Sequence, residues 1–513
     1  MGVMVDIKVE YANSRQVIQI PLSVANQFAS RERILSKSYR AKICHKAITS
    51  RSYRAGHKDF NYDPYQKGQN TRPLSTYVDD IISEGTALIE AKRMNAEAVL
   101  GGHGFDGRTG LFEENQLPPH LRNTKAATVL IDPEDLLRDT ADANLKDIHD
   151  PEVEDPEVVE GQIYSEPDTD EIHLPPKPRT RNRRQLPVSE IPARCSNYIR
   201  WRQMLNINDN CKVKHPVELE TDPDRVLYLM IDGVYVSGQA QTHIKGGKTQ
   251  KDKAERVEHW NCRIEWGESC SYAVTDGKLE NMMKQVLAFL LTNNLTSKYF
   301  VFIVDGEDKI FAGIETYFGK WEHTVYLDFA HAAKKCYDLL SNAIKSIRVA
   351  DPRGKKEYYV KGSKAGQVKS QEMTSLSVLY TRRAISMLWV GNINELREYL
   401  KNIDPNIIHD QTYLDKLMTY FSEQRKGKYV TNYALRKVSG LRNSSNGVEG
   451  LNNQSVACNQ KQGNKSFRDK GSHALAALMV LNVNREWEKW FAEDSISFAY
   501  IPPDEELESI AEK

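Results

Sequence analysis

The sequence predicts an α/β fold, a mixed sheet with flanking helices, on three observations. Tyr299 to Ile303, with Phe302 central, is an apolar run into Val304-Asp305-Gly306, the pattern of a strand buried on both faces. A helical pattern (Ile310, Ile314, Tyr317, Phe318) follows, then a second strand, Thr324-Val325-Tyr326-Leu327, ending at Asp328 and His331. Upstream, Arg225 to Ile231 is an apolar strand ending at Asp232-Gly233, and the pattern resumes with Val234-Tyr235-Val236. Strand, acid, helix, strand, acid gathers carboxylates at one edge of a sheet.

In chain order, residues 7–20 alternate apolar and polar around Ala12-Asn13-Ser14-Arg15 and predict a β-hairpin. From Pro21 to about Ala55 the pattern is helical and basic (Arg31, Arg33, Lys37, Arg40, Lys42, Lys46), with Phe28, Tyr39 and Tyr53 interleaved. A further helix is predicted from about Ser75 to Val99, broken by Gly101, Gly102, Gly104 and Gly107. Residues 1–128 thus read as a separate helical, basic N-terminal domain, a candidate for DNA recognition. A basic solvated helix with no ligand explains the same pattern, and no helix-turn-helix signature is clear.

Residues 129–187 alternate acids and prolines with little apolar content and read as a linker. The acidic tract either covers a basic face in place of nucleic acid or is a solvated spacer. Residues 188–224 are a basic lead-in. Strands are predicted at His259–Trp266 and Ser271–Thr275, and a helix at Leu279–Leu291. Residues 225–345 are assigned to the first part of the α/β core, 346–440 to a helical stretch (clearest at Leu376–Ile403 and Tyr413–Phe421), 441–492 to two further helices that complete the core, and 493–513 to a frayed tail.

The chain of 513 residues is long enough for several domains. No stretch reaches the length of a membrane helix, and MGVMVDIKVEY lacks the layout of a secretory signal. Asp6 stands where a myristoylation site needs Ser or Thr. Seven scattered cysteines without a CxxC suit reduced thiols, and the spacing of Cys44, His45 and His57 fits no metal-ligand pattern. The expected location is therefore cytoplasmic.

Seventy bases balance seventy acids, yet Asp132 to Glu171 holds 16 acids and 2 bases. That leaves 54 acids against 68 bases elsewhere, a net +14, the footprint of a phosphate-binding protein.

Asp232, Asp305 and Glu449 are the candidates for chemistry. Two divalent ions about 3.5–4 Å apart can hold the attacking and leaving oxygens of a phosphodiester. Mg2+ takes hard oxygen ligands and keeps several waters, so a few carboxylates suffice. Each acid also has a plainer reading. Asp232-Gly233 and Asp305-Gly306 are turn signals, and Glu449 stands three after Asn446, the spacing of a capping box. Asp328 and His331 are candidate accessory residues, or simply an acid orienting a histidine.

The joint pattern is Asp232, then Asp305 with its amphipathic helix, then Tyr326-Leu327-Asp328-Phe329-Ala330-His331, a helical stretch, and Asn446-Gly447-Val448-Glu449-Gly450-Leu451-Asn452-Asn453. It resembles the DDE transposases of bacterial insertion sequences, most closely the Mutator-like group, where an N-x-(V/I)-E-x-x-N segment carries the last acid. A basic, Gly-containing stretch and a helix follow there, as Lys461–Lys470 and His473–Val483 do here. Asp328 stands where that group often has Cys.

The resemblance covers about 225–490. It implies a ribonuclease H-like core split by an all-α insertion, with Asp232, Asp305 and Glu449 as catalytic residues and ligands of two Mg2+ or Mn2+ ions. It implies a homo-oligomer acting on element ends and target DNA, associated with a prokaryotic nucleoid. Hydrolysis would free a 3′-hydroxyl, which then attacks target DNA in line. Candidate DNA-binding bases are Lys245, Lys248 and Lys251 after the first strand, and Arg436, Lys437 and Arg442 before Glu449. The alternatives are a ribonuclease H-like nuclease without strand transfer, or a domesticated, non-catalytic DNA-binding protein.

Overall fold

Alternating apolar side chains build the centre of the molecule, a five-stranded mixed sheet. Its strands are β1 (Val226–Ser237), β2 (Arg256–Trp266), β3 (Cys270–Asp276), β4 (Tyr299–Val304) and β5 (His323–Leu327), in the order β3-β2-β1-β4-β5. The computed structural model describes residues 4–11, 14–21, 37–50, 53–61, 73–106, 111–112, 117–125, 129–131, 213–215, 217–239, 242–245, 248–251, 255–351, 355–358, 360, 363–364, 366–438, 441–461 and 466–502. β2 runs antiparallel to β1 and β3, and β4 runs parallel to β1 and β5. The antiparallel ribbon and the parallel half meet at β1.

β1 does not end at Asp232-Gly233. It continues to Ser237 because β2 pairs along its length, with Asn261 opposite Asp232 and His259 opposite Val234. The turn reading of this dipeptide is therefore set aside. The hairpin near the N-terminus pairs Met4–Tyr11 with Ser14–Pro21, as the alternation predicts.

The two faces of the sheet separate by side-chain parity. Leu227, Leu229, Ile231, Phe300, Phe302 and Val304 point to one face. Val226, Tyr228, Met230, Tyr299, Val301 and Ile303 point to the other.

The helices are α1 (Lys37–Thr49), α2 (Tyr53–Asn61), α3 (Leu74–Gly102), α4 (Val217–Thr221), α5 (Leu279–Thr292), α6 (Asp308–Phe318) and α7 (Phe329–Ala343). After them come α8 (Leu376–Trp389), α9 (Ile393–Lys401), α10 (Gln411–Tyr420), α11 (Tyr433–Val438), α12 (Asn446–Asn452), α13 (Asp469–Val483) and α14 (Trp487–Glu493). α5 and α6 cover the first face with the end of α3, through Met282, Val286, Phe289, Ile314, Ala96 and Leu100. Leu219 of α4 and Val448 of α12 pack on the second face.

Three expectations are corrected. The N-terminal helices are not a separate domain. Ile43, Tyr77, Ile81 and Leu88 share a core with Leu475, Leu478 and Trp490. A Cβ on Gly85 would lie 2.5 Å from the Cβ of Ala474, so α3 and α13 cross at the distance only glycine permits. Arg40, read as a surface base, is 2% exposed. It donates to Glu84 and Asp494, at 2.6 Å to each. Arg93 of α3 likewise reaches Asp276 of β3 at 2.7 Å.

The stretch 346–440 is not all-α. Two small antiparallel pairs, Arg348–Ala350 with Met373–Ser375 and Lys356–Tyr358 with Val368–Gln371, precede α8. Strands of three or four residues are too short to leave a periodic trace. The helices α8 to α11 then form an apolar cluster of their own with α7, through Leu340, Leu388, Leu396, Leu417 and Phe421.

The segment after 493 is not frayed at its start. Ile496 and Phe498 are buried, and Tyr500 packs edge-on against Trp266 at 4.8 Å. Val129–Ile131, assigned to the linker, pairs with Val213–His215. The acidic tract itself lies outside the described residues.

Candidate active site

Strand order brings the first two acids together. β4 lies beside β1 in parallel, with Val304 opposite Ile231, so Asp305 follows at the level of Asp232. Continuing the alternation, both belong to the face of Met230 and Ile303. Gly306, at φ +96°, turns the chain out of β4. A side chain there would strike the Tyr420 hydroxyl at 2.7 Å. Asp305 Oδ1 accepts from Glu307 N–H at 3.0 Å as the chain enters α6.

The third acid arrives on that same face. Val448 is fully buried among Tyr228, Met230 and Ile303. A Cβ on Gly447 would lie 2.7 Å from Met230 Cε, so the α12 backbone rests directly on β1. Glu449 is exposed, and its N–H donates to Ser445 O at 3.1 Å. Ser445 is the N-cap, so the capping-box reading of Asn446 and Glu449 does not hold.

Asn452, one turn on from Glu449, joins the acids to the sheet. Its Nδ2 donates to Asp232 Oδ2 at 2.6 Å, and its Oδ1 accepts from Asn261 Nδ2 at 2.6 Å. The Asn261 Oδ1 atom is buried without a hydrogen-bond partner. Asn452 belongs to the Glu449 segment, where the sequence alone gives it no role. Its signal was the i, i+3 spacing from Glu449, which puts both on one helix face. Asn261 carried no signal, because only the register sets it opposite Asp232.

Past Asn452 the chain continues as a π-helical segment, Asn453–Lys461. Asp232, Tyr235, Arg256, Glu449, Asn452 and Lys461 line one open groove of about 670 Å3 between β1 and this segment. Burial raises the Asp232 carboxyl to about 6; the charge of Asp305 and, more weakly, of Glu449 adds to it, while His331 opposes it.

Asp328 has a different place. Its side chain is completely buried. Oδ1 accepts from His331 N–H at 3.0 Å and caps α7. Oδ2 accepts from Ser445 Oγ at 2.7 Å and from Ser445 N–H. Asp328 thus ties the start of α7 to the N-cap of the helix carrying Glu449. His331 Nδ1 lies 3.3 Å from Asp328 Oδ1. Burial disfavours the charged ring, but Asp328, Asp232 and Asp305 outweigh it and hold the imidazole at about 9.

Of the proposed DNA contacts, Arg436 is corrected. It is fully buried and pairs with Glu220 of α4 at 2.9 Å. Its guanidinium lies 3.9 Å from the centre of the Tyr326 ring and donates to Arg442 O at 2.8 Å. A charge so enclosed cannot reach a phosphate. Arg442 is partly buried and donates to Glu265. Lys437 is exposed, near Trp389. Lys245, Lys248 and Lys251 lie on a hairpin of Thr242–Lys245 with Lys248–Lys251.

The donor set suits a hard divalent cation in kind, with carboxylates and a side-chain amide gathered at one groove. As they stand, no three His, Cys, Asp or Glu side chains among the described residues converge tightly enough to hold one ion. Glu449 is the exposed member and has room to turn. Among the described residues no helix is long and apolar enough to cross a membrane.

No family model matches the chain, and no curated protein matches it. Among solved structures, the strand transfer complex of the Drosophila P element transposase is similar over 62% of this chain and 78% of that chain, at 8% identity and a TM-score of 0.18. A likeness of that size carries no argument about fold or function.

Proposed function

We propose that the chain is a DNA transposase, a metal-dependent enzyme for strand cleavage and strand transfer built on a ribonuclease H-like core. The observation that carries the reading is the shared face. Asp232 within β1 and Asp305 just past the end of β4 stand side by side, and α12, whose backbone rests on Met230, brings Glu449 to the same face. A glutamate helix on the opposite face would have left the acids unrelated.

On this reading Asp232, Asp305 and Glu449 hold two Mg2+ or Mn2+ ions, which supply charge stabilisation and activation of the attacking oxygen. Asn452 orients the Asp232 carboxylate through its Oδ2. Lys461 and Arg256 line the groove where a phosphodiester would lie. Lys437 and the hairpin bases Lys245, Lys248 and Lys251 are the remaining candidates for holding DNA. Asp328 positions Glu449 through Ser445 and is not a ligand. The charge of His331 acts on Asp232 and Asp305 from beside Asp328. The protein's share is positioning and electrostatics, since charge develops on phosphoryl oxygens.

The test is cleavage of duplexes carrying the inverted repeats that flank the coding region, followed by strand transfer of pre-cut ends. Asp232→Asn and Glu449→Gln should each abolish cleavage while duplex binding survives. Wild-type-like cleavage in either variant overturns the reading. Cleavage without transfer from pre-cut ends leaves a nuclease.

A further inference from the structure

The segment between α7 and α8 has a surface that the candidate site does not use. Five of the eight large hydrophobic side chains exposed among the described residues fall here: Ile347, Tyr358, Val360, Val368 and Met373. All three residues of Lys356–Tyr358 are exposed, as are three of the four in Val368–Gln371. An isolated two-stranded ribbon is marginal in water and needs a face to pack on. Here nearly every described residue of the outer ribbon faces outward.

Its root, by contrast, is built firmly. Asp351 is 6% exposed and accepts from Arg382 of α8 at 2.8 Å. Gln371 Nε2 donates to Asp351 O at 2.6 Å, and Asp351 N–H donates to Glu372 O at 2.8 Å. A rooted ribbon with exposed faces is the arrangement of an arm that engages something else.

Charge and register say what. Residues 345–375 carry eight Lys and Arg against three acids, in a chain whose seventy bases and seventy acids balance as a whole. One of those acids, Asp351, is taken up at the root. In the outer ribbon Lys356 stands opposite Gln371, and Tyr358 opposite Val368, with a register shift after Glu357. Directly opposed residues share a face, so Lys356, Tyr358 and Val368 lie together on one side. Glu357 takes the other side, where it accepts from Ser370 Oγ at 2.9 Å and lies 3.8 Å from Lys369. A face of this sign repels a second copy of itself and attracts a polyanion. Two-stranded ribbons of this width enter a duplex groove.

We propose that the ribbon 348–375 is a duplex-DNA-binding arm, its bases on phosphates and its Tyr358–Val368 face in a groove. It deepens the proposed function and rests on it for the location of the scissile bond. The fifteen residues of α7 separate Asp328 from the ribbon root by about 22 Å at ~1.5 Å per residue. At ~3.4 Å per step, six to seven base pairs of one duplex bridge that distance.

The experiment uses the full chain and a fluorescent 30-base-pair duplex, with anisotropy read over a series of salt concentrations. Lys355→Glu with Lys356→Glu should weaken binding at least tenfold and make the log–log salt slope shallower by about 1.8, since each phosphate contact contributes ~0.9. Lys355→Arg with Lys356→Arg should keep both values, which separates lost charge from misfolding. Tyr358→Ser should weaken binding with the slope kept. Unchanged affinity and slope in the Glu variant overturn the proposal. So does a change of oligomeric state in Tyr358→Ser with duplex binding intact, which would make the face a contact between copies. Glu449→Gln separates the two claims. Ribbon-dependent binding without cleavage by the wild-type protein sinks the proposed function alone.

Discussion

Two groups of charges lie on the same face of the sheet, and the fold treats them in opposite ways. Around Glu220, the carboxylate accepts from Tyr326 Oη at 2.9 Å, from Tyr228 Oη at 3.3 Å and from Arg436 Nη1 at 2.9 Å. Glu220 and Arg436 are both fully buried, and each charge is answered by the other. Around Asp232, the nearest formal charges include two further carboxylates, and burial with their repulsion raises its carboxyl to about 6. The first group is complete within the chain. Within the chain the second is offset only in part, by His331. On the proposed function, a cation completes it.

The sharpest way to break this comparison is to neutralise one member of each group. Asp232→Asn should lower end cleavage on the order of 10³-fold, because several kcal/mol of charge stabilisation is lost. Its thermal stability should hold or rise, since a repulsion is removed. A loss of stability with activity kept would reverse the assignment. Glu220→Gln should do the contrary. Leaving Arg436 buried without its anion costs about 3–5 kcal/mol of stability, read by denaturant unfolding. Cleavage per folded molecule should be nearly unchanged.

A smaller effect sharpens the contrast. Mg2+ at about 100 times its Kd should stabilise the protein by about 2.7 kcal/mol. The gain should depend on pH. In the metal-free protein the Asp232 carboxyl is raised, so its contribution is fully present below about 3.8 and is lost as pH rises through about 6. Cation binding needs the carboxylate, so the Mg2+-dependent shift in Tm should be small at pH 5 and full at pH 7.5. The Asp232→Asn variant should show little shift at either pH. An equal shift at both pH values in the wild-type protein would place the cation elsewhere.

The smallest change expected is at Asn452→Ala. It breaks the chain from Asn261 to Asp232, and cleavage should fall about tenfold, in the range of lost outer-shell partners. Asn452→Asp would add a fourth acid and should fall further.

The parts of this arrangement legible in the sequence are those that repeat locally. Leu227 to Ile231, Tyr299 to Val304 and Val325 to Leu327 are apolar runs, so the strands and the acids that follow these runs could be read directly, though β1 continues past Asp232 to Ser237. The i, i+3 pair of Glu449 and Asn452 could be read in the same way. What could not be read depends on contacts made across long separations. Arg436 looks like any basic residue on a short helix until Glu220, 216 positions earlier, is brought to it. Arg40 looks like a phosphate contact until Glu84 and Asp494 close over it. The N-terminal helices looked separate because their apolar stripe does not say what it will pack on. The ribbon at 348–375 was missed because its strands, three or four residues each, are too short to show a period.

The most direct test of the central claim is anomalous scattering from crystals of the full chain soaked in Mn2+. The account predicts density bounded by Asp232, Asp305 and Glu449, lost in Asp232→Asn. Mn2+ bound only elsewhere, with Glu449 turned away from both aspartates, would contradict it.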